Sequence, residues 1–137
     1  MLYSILCYHS EKEVAGWTAA QDAAVMEKLA AVQTKLAQKG KLGPVVRLMP
    51  TSTATTLRKE QAPPVVVDGP FAETKEQLLG FYVVDCETRD EVNEIARQLA
   101  AVNPGGSYEI RPVALINPVP ATIQLSSGVL ARSAPVP

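Results

Sequence analysis

The sequence predicts an α+β domain: a ferredoxin-like split βαβ fold with an antiparallel sheet and two helices on one face. Three observations predict it. Two amphipathic helical patterns each follow a strand-like run, the most apolar run of the chain lies between them, and the order is strand, helix, strands, strand, helix, strand. Helices in that order must both cover one face of a shared sheet. A chain of 137 residues with 47% hydrophobic and 20% charged side chains is also one ordinary globular domain.

Each element has its own reason. Leu2 to Tyr8 alternates and is rich in aromatic and β-branched residues, which predicts the first strand. Thr18-Ala-Ala-Gln21 has the capping-box pattern, in which hydroxyl and amide serve orphan backbone N–H groups. Behind it Val25, Leu29, Val32 and Leu36 share one helical face, with Glu27, Lys28, Lys35 and Gln38 on the other. Lys39-Gly40 closes that helix.

Val45 to Leu48, Thr53 to Leu57 and Pro64 to Val67 read as short strands, the first two joined by Met49-Pro50-Thr51-Ser52. Leu79 to Cys86 is the strongest strand, apolar at most positions on both faces. Helices cover only one face of the predicted sheet, so the other apolar face calls for a second copy of the chain. Thr88 to Glu91 repeats the capping-box pattern ahead of Val92, Ile95, Ala96 and Leu99 on one helical face. Asn103-Pro-Gly-Gly106 ends this helix, and Tyr108 to Val113 alternates as the last strand, with Pro112 marking an edge or an end. The domain is expected to span 1–115. Residues 116–137, proline-rich and nearly uncharged, read by composition as a flexible tail, while the scattered Ile123, Leu125, Val129 and Leu130 favour an arm clasping the partner subunit.

Thirteen basic and fourteen acidic residues, with no basic run, argue against direct contact with nucleic acid. Cys7 and Cys86 sit in apolar strand patterns and read as buried free thiols. With His9 as the single imidazole and no CxxC, neither a zinc site nor another cofactor is expected. The N-terminal stretch is too short and too quickly polar for a signal peptide or membrane span, so a cytoplasmic protein is expected.

Acid–base chemistry must therefore come from His9, carboxylates, tyrosines or lysines. The stretch Val65-Val-Val-Asp-Gly-Pro-Phe71 ends a strand abruptly. Asp-Gly often makes a hairpin, but Pro70 lacks an N–H and interrupts a two-residue turn. Asp68 then reads first as a turn-making carboxylate at the rim of a cleft and second as a cleft acid. Glu73 and Lys75 follow in a mixed-charge group, either a solvated first helical turn or a substrate-contacting loop. His9, at a strand end beside Ser10 and Glu11, reads first as a surface residue and second as a cleft group. Tyr8 and Tyr82 are candidates to line a pocket, and Arg47 and Arg58 to hold an anion through paired N–H donors.

The run from Val67 through Leu78, with Gly80-Phe-Tyr82, Thr53-Ala-Thr-Thr-Leu-Arg58, Pro104-Gly-Gly-Ser107 and Glu109-Ile-Arg-Pro-Val113, resembles the DGPF-domain branch of the YCII-related proteins. The resemblance implies a dimeric α+β barrel. Some such proteins are lyase-like enzymes that use an imidazole on the first helix with a carboxylate nearby. Leu29 stands near that histidine's place here, and a leucine cannot transfer a proton. Two functions follow as expectations. One is a cytoplasmic homodimer binding a small anionic or cyclic metabolite, with lyase- or isomerase-like proton transfer by Asp68 and with Arg58 or Lys75 holding the substrate. The other is a non-enzymatic regulatory module, linked to sigma-factor transcription control through protein partners.

Overall fold

The computed structural model describes residues 1–117 and 130–131. Among the described residues, eight strands and three helices follow in chain order. They are β1 (Leu2–His9), α1 (Glu11–Ala15), α2 (Ala19–Gln38), β2 (Leu42–Arg47), β3 (Thr55–Arg58), β4 (Val65–Asp68), β5 (Gln77–Asp85), α3 (Arg89–Val102), β6 (Ser107–Pro112), β7 (Leu115–Ile116) and β8 (Leu130–Ala131). A 3₁₀ turn covers Thr51–Thr53.

The main sheet runs β2-β5-β1-β6, antiparallel throughout. Strands that neighbour one another here are distant in the chain, which is the split βαβ, ferredoxin-like arrangement. One sheet face carries Tyr3, Ile5, Tyr82 and Val84, packed with Leu29 and Leu36 of α2 and with Val92, Ile95, Ala96 and Leu99 of α3. The apolar faces expected of both helices are therefore the ones that build the core. On the opposite sheet face Leu2 and Val83 are also buried, against Phe81, Val113 and Ile116. Residues just beyond β6 thus cover part of the second apolar face that the sequence assigns to another subunit.

The caps explain where the helices start. The Thr18 hydroxyl accepts the Gln21 N–H, and the Gln21 amide oxygen accepts the Thr18 N–H, so this capping box is complete. At α3 the Thr88 hydroxyl accepts the Glu91 N–H, but the Glu91 carboxylate takes the Glu87 N–H instead of the expected Thr88 N–H. Glu91 also pairs with Lys41, and both that pair and the backbone bond hold its carboxyl below the usual range.

Three local expectations need correction. Helix α1 is unforeseen: Ser10 caps it, and the Glu11 carboxylate accepts the Thr51 N–H and hydroxyl at 2.8 and 2.7 Å. The strand expected at Val45–Leu48 begins earlier, at Leu42, because a bulge between Leu42 and Val45 accommodates Gly43-Pro44. The strand expected from Thr53 starts at Thr55, after the 3₁₀ turn, and pairs with β4 in a separate two-stranded ribbon outside the main sheet. That ribbon exposes Leu57 and Val66 at 57% and 64%, and Phe71, just after it, is exposed at 75%. The clasping arm expected of residues 116–137 lies almost wholly outside the described residues.

Candidate functional site

At the C-terminal end of β1, α2 and the sheet part, and a cavity of about 130 Å³ opens between them. An apolar cavity of about this size holds one six-membered ring. Its walls come from six elements: Cys7, Tyr8 and His9 of β1; Val14 of α1; Asp22, Val25, Met26, Leu29 and Gln33 of α2; Val45, Val46 and Arg47 of β2; Leu79 to Tyr82 of β5; and Tyr108 of β6. Trp17, Asn103 and Gly105 close it from the connecting segments.

Close backbone approach makes this geometry. A Cβ on Gly80 would lie 2.1 Å from the Val46 carbonyl oxygen, so only glycine lets β2 and β5 meet beside the pocket. Gly105 and Gly106 take φ of +83° and +77°, and a Cβ on Gly105 would fall 2.5 Å from His9 Nε2. The imidazole therefore rests directly on this glycine turn.

His9 is buried, where a strand-end histidine reads more readily as a surface residue. The Ser10 N–H donates to its Nδ1 at 2.7 Å, and the Glu13 carboxylate lies 3.7 Å from the same nitrogen. Trp17 meets the ring edge-on at 6.2 Å. Because Nδ1 accepts, the neutral ring carries its proton on Nε2, which is turned toward Gly105 at the pocket wall. Nε2 has no hydrogen-bond partner among the described residues, so His9 offers the pocket a free donor.

The other polar groups are held neutral. Burial pushes the Cys7 thiol up to about 12 and the Tyr108 phenol up to about 12. Burial raises Tyr82 as well, against the opposing hydrogen bond from Gln33. Gln33 donates to the Tyr82 hydroxyl at 3.4 Å, and Asn103 to the Tyr108 hydroxyl at 3.1 Å. Charge enters only at the mouth, where Arg47 lies 3.5 Å from Asp22 and donates to the Met26 sulfur. Leu29 lines the pocket with methyl groups alone, and the imidazole comes from β1 instead of the helix.

Of the residues singled out in the sequence, His9, Tyr8, Tyr82 and Arg47 meet at this pocket. Asp68, Arg58, Glu73 and Lys75 are exposed and do not line it. Asp68 does not serve the bend as expected. Backbone pairing serves it instead: β4 runs through Asp68 opposite Thr55, and the Gly69 N–H donates to the Ala54 carbonyl. Arg58 donates to the Phe71 carbonyl at 3.0 Å, and neither Glu73 nor Lys75 forms an ion pair among the described residues. Gln33, Asn103 and Tyr108 escaped notice as site residues. Gln33 had a signal, since it lies four residues after Leu29 on the apolar face of α2.

Comparison with known proteins gives the family. The YCII-related domain model matches residues 1–117. This chain belongs to the YCII-related family. It is 54% identical over 119 residues to an uncharacterized protein of Rhizobium meliloti (strain 1021), covering 86% of this chain and 96% of that one. Among solved structures it is similar to 5-chloro-2-hydroxyhydroquinone dehydrochlorinase from Burkholderia phenoliruptrix AC1100, in complex with 2,5-dihydroxybenzoquinone. That likeness has 15% identity and a TM-score of 0.46, over 82% of this chain and 92% of the other. No helix among the described residues of this YCII-related chain is long and apolar enough to cross a membrane, and none of its His, Cys, Asp and Glu side chains cluster in metal-holding groups.

Proposed function

We propose that this YCII-related protein of the DGPF branch is a cytoplasmic homodimer that binds one ring-sized metabolite per pocket and moves a proton on it in a lyase- or isomerase-type step. The observation that carries this reading is His9: a buried imidazole whose Nδ1 is engaged by the Ser10 amide and whose Nε2 donor is free at the pocket wall. A donor in that place polarises a ligand oxygen by a hydrogen bond and stabilises the negative charge that gathers on it when a neighbouring C–H proton leaves. The bond at Nδ1 makes neutral His9 a hydrogen-bond donor and not a base, and the proton removed from the ligand goes to water or to a group supplied by the partner.

Arg47 is answered by Asp22, and no unpaired cation faces the interior among the described residues, so a cyclic ligand fits better than a carboxylate. Asp68, the acid expected from the sequence, reaches a pocket in this reading only if the β3–β4 ribbon carries it to the other subunit. Two free thiols suit a reducing compartment.

Calorimetric titration of single-ring ketones and phenols tests the site. Wild-type protein is expected to bind them, and His9→Gln to bind about tenfold more weakly, the worth of one hydrogen bond in a dry pocket. Equal affinity in the two proteins would remove His9 from the site. For assembly, light scattering is expected to give twice the chain mass at micromolar concentration, with Leu57→Asp on the ribbon shifting the protein toward monomer. A wild-type monomer would refute the pair.

A further inference from the structure

We infer that Gln33 and Asn103 determine the ligand class of this pocket by turning both tyrosine hydroxyls into donors, so that it selects a single ring bearing at least two acceptor oxygens, such as a cyclic diketone. This rests on the reading of the cavity as a ligand site and specifies what that site accepts.

A phenol oxygen can donate one hydrogen and accept through its lone pairs, and its neighbour decides which role is left for a ligand. At Tyr82 the neighbour is the Gln33 side-chain N–H, at 3.4 Å; at Tyr108 it is the Asn103 side-chain N–H, at 3.1 Å. Each phenol is thereby made the acceptor of an amide. Neither hydroxyl hydrogen meets an acceptor among the described residues, so each is available to a ligand in the cavity the two tyrosines line. The same amide donation polarises each O–H and strengthens it as a donor.

His9 adds a third donor through Nε2. Cys7, the remaining polar group deep in the cavity, spends its thiol hydrogen on the Ile5 carbonyl at 3.7 Å. Three donors thus border a cavity of about 130 Å³ whose remaining walls are apolar apart from the Gln33 and Asn103 amides and the Arg47–Asp22 pair at its mouth, and an apolar ring would leave them without partners. Unmet buried donors are costly, so the site discriminates against rings that lack acceptors. A ring whose hydroxyls must themselves donate is disfavoured for the same reason, since each would face another O–H or N–H.

Titration of three rings of similar size into the full-length protein tests this: cyclohexane-1,4-dione, cyclohexane-1,4-diol and cyclohexane. Wild-type protein is expected to bind the dione at least about tenfold more tightly than either of the others. Tyr82→Phe and Tyr108→Phe should each lower dione affinity several-fold and leave cyclohexane unchanged. The decisive variants are Gln33→Glu and Asn103→Asp. A carboxylate in place of the amide accepts the phenol hydrogen and leaves only lone pairs for the ligand, so the preference should move from the dione toward the diol. Gln33→Leu supplies a second test that buries no charge: it removes the amide donor and should shrink the dione preference with no reversal. Circular dichroism confirms that each variant is folded before binding is read. Cyclohexane binding as tightly as the dione to wild type, or an unchanged preference in folded Gln33→Glu and Gln33→Leu, overturns this inference while leaving the pocket a ligand site. Binding of none of the three rings overturns the ligand-site reading as well.

Discussion

Gly80→Ala is expected to cost about 3 kcal/mol, near the top of the range for overpacking, and to open the pocket as it does so. The added methyl would sit 2.1 Å from the Val46 carbonyl oxygen, 3.1 Å from its carbonyl carbon and 3.2 Å from the Arg47 Cα. All three are backbone atoms, so no rotamer change relieves the clash. The strands must part instead. Because β2 is the edge of the main sheet, it is the strand that yields, and it takes Val45, Val46 and Arg47 away from the cavity they line. Urea unfolding should show a lower midpoint with little change in slope, together with weakened binding of ring ligands. Gly40→Ala is the control. Gly40 has φ of +68° and open space where a Cβ would stand, so only backbone strain is felt there, about 1 kcal/mol. A Gly80 variant no less stable than the Gly40 variant would contradict the contact at Val46.

Leu99→Ala is the second large effect, expected at about 2–5 kcal/mol. Leu99 is fully buried on α3, within the cluster that joins both helices to Tyr82, Val84 and Ile5. Removing its branched end leaves a void between α3, α2 and the sheet, because interiors are packed too densely to flow into it. Domains of this size are stable by about 5–15 kcal/mol, so this single truncation removes a large share of the total. Thermal or urea unfolding checks it, and a loss below about 1 kcal/mol would mean the core is not organised around α3. Leu57→Ala, on the exposed ribbon, should leave the unfolding of a single chain almost unchanged.

Much of this fold is legible in the residues alone. Val92, Ile95, Ala96 and Leu99 recur at helical spacing, and all four are buried. Thr18 and Thr88 sit where an N-cap hydroxyl is needed, and both cap. Helix α1 escaped because five residues are too few for a periodic signal, although Ser10 and Glu13 carry the S-x-x-E spacing of a helix start. Of the site, Tyr8, His9, Arg47 and Tyr82 stood out by residue type and by their places on strands. Asp68 stood out for the length of the run around it, but its strand pairs into a ribbon beside the body, and its carboxylate lies in solvent. Which strands join the main sheet depends on long-range pairing that no local pattern encodes.

Caps, apolar faces and strand alternation are interactions among residues one to four positions apart, so their energies are set along the chain and can be read there. The pocket is different in kind: it joins Cys7 to Tyr108 across six elements, and its polarity depends on partners 5 and 49 residues apart, Asn103 with Tyr108 and Gln33 with Tyr82. The Ser10 N–H that sets the His9 tautomer is a neighbour in the chain, but the two amide–phenol bonds are fixed by packing around the end of β1. That packing exists only once β2, β5, β1 and β6 are in register beneath α2.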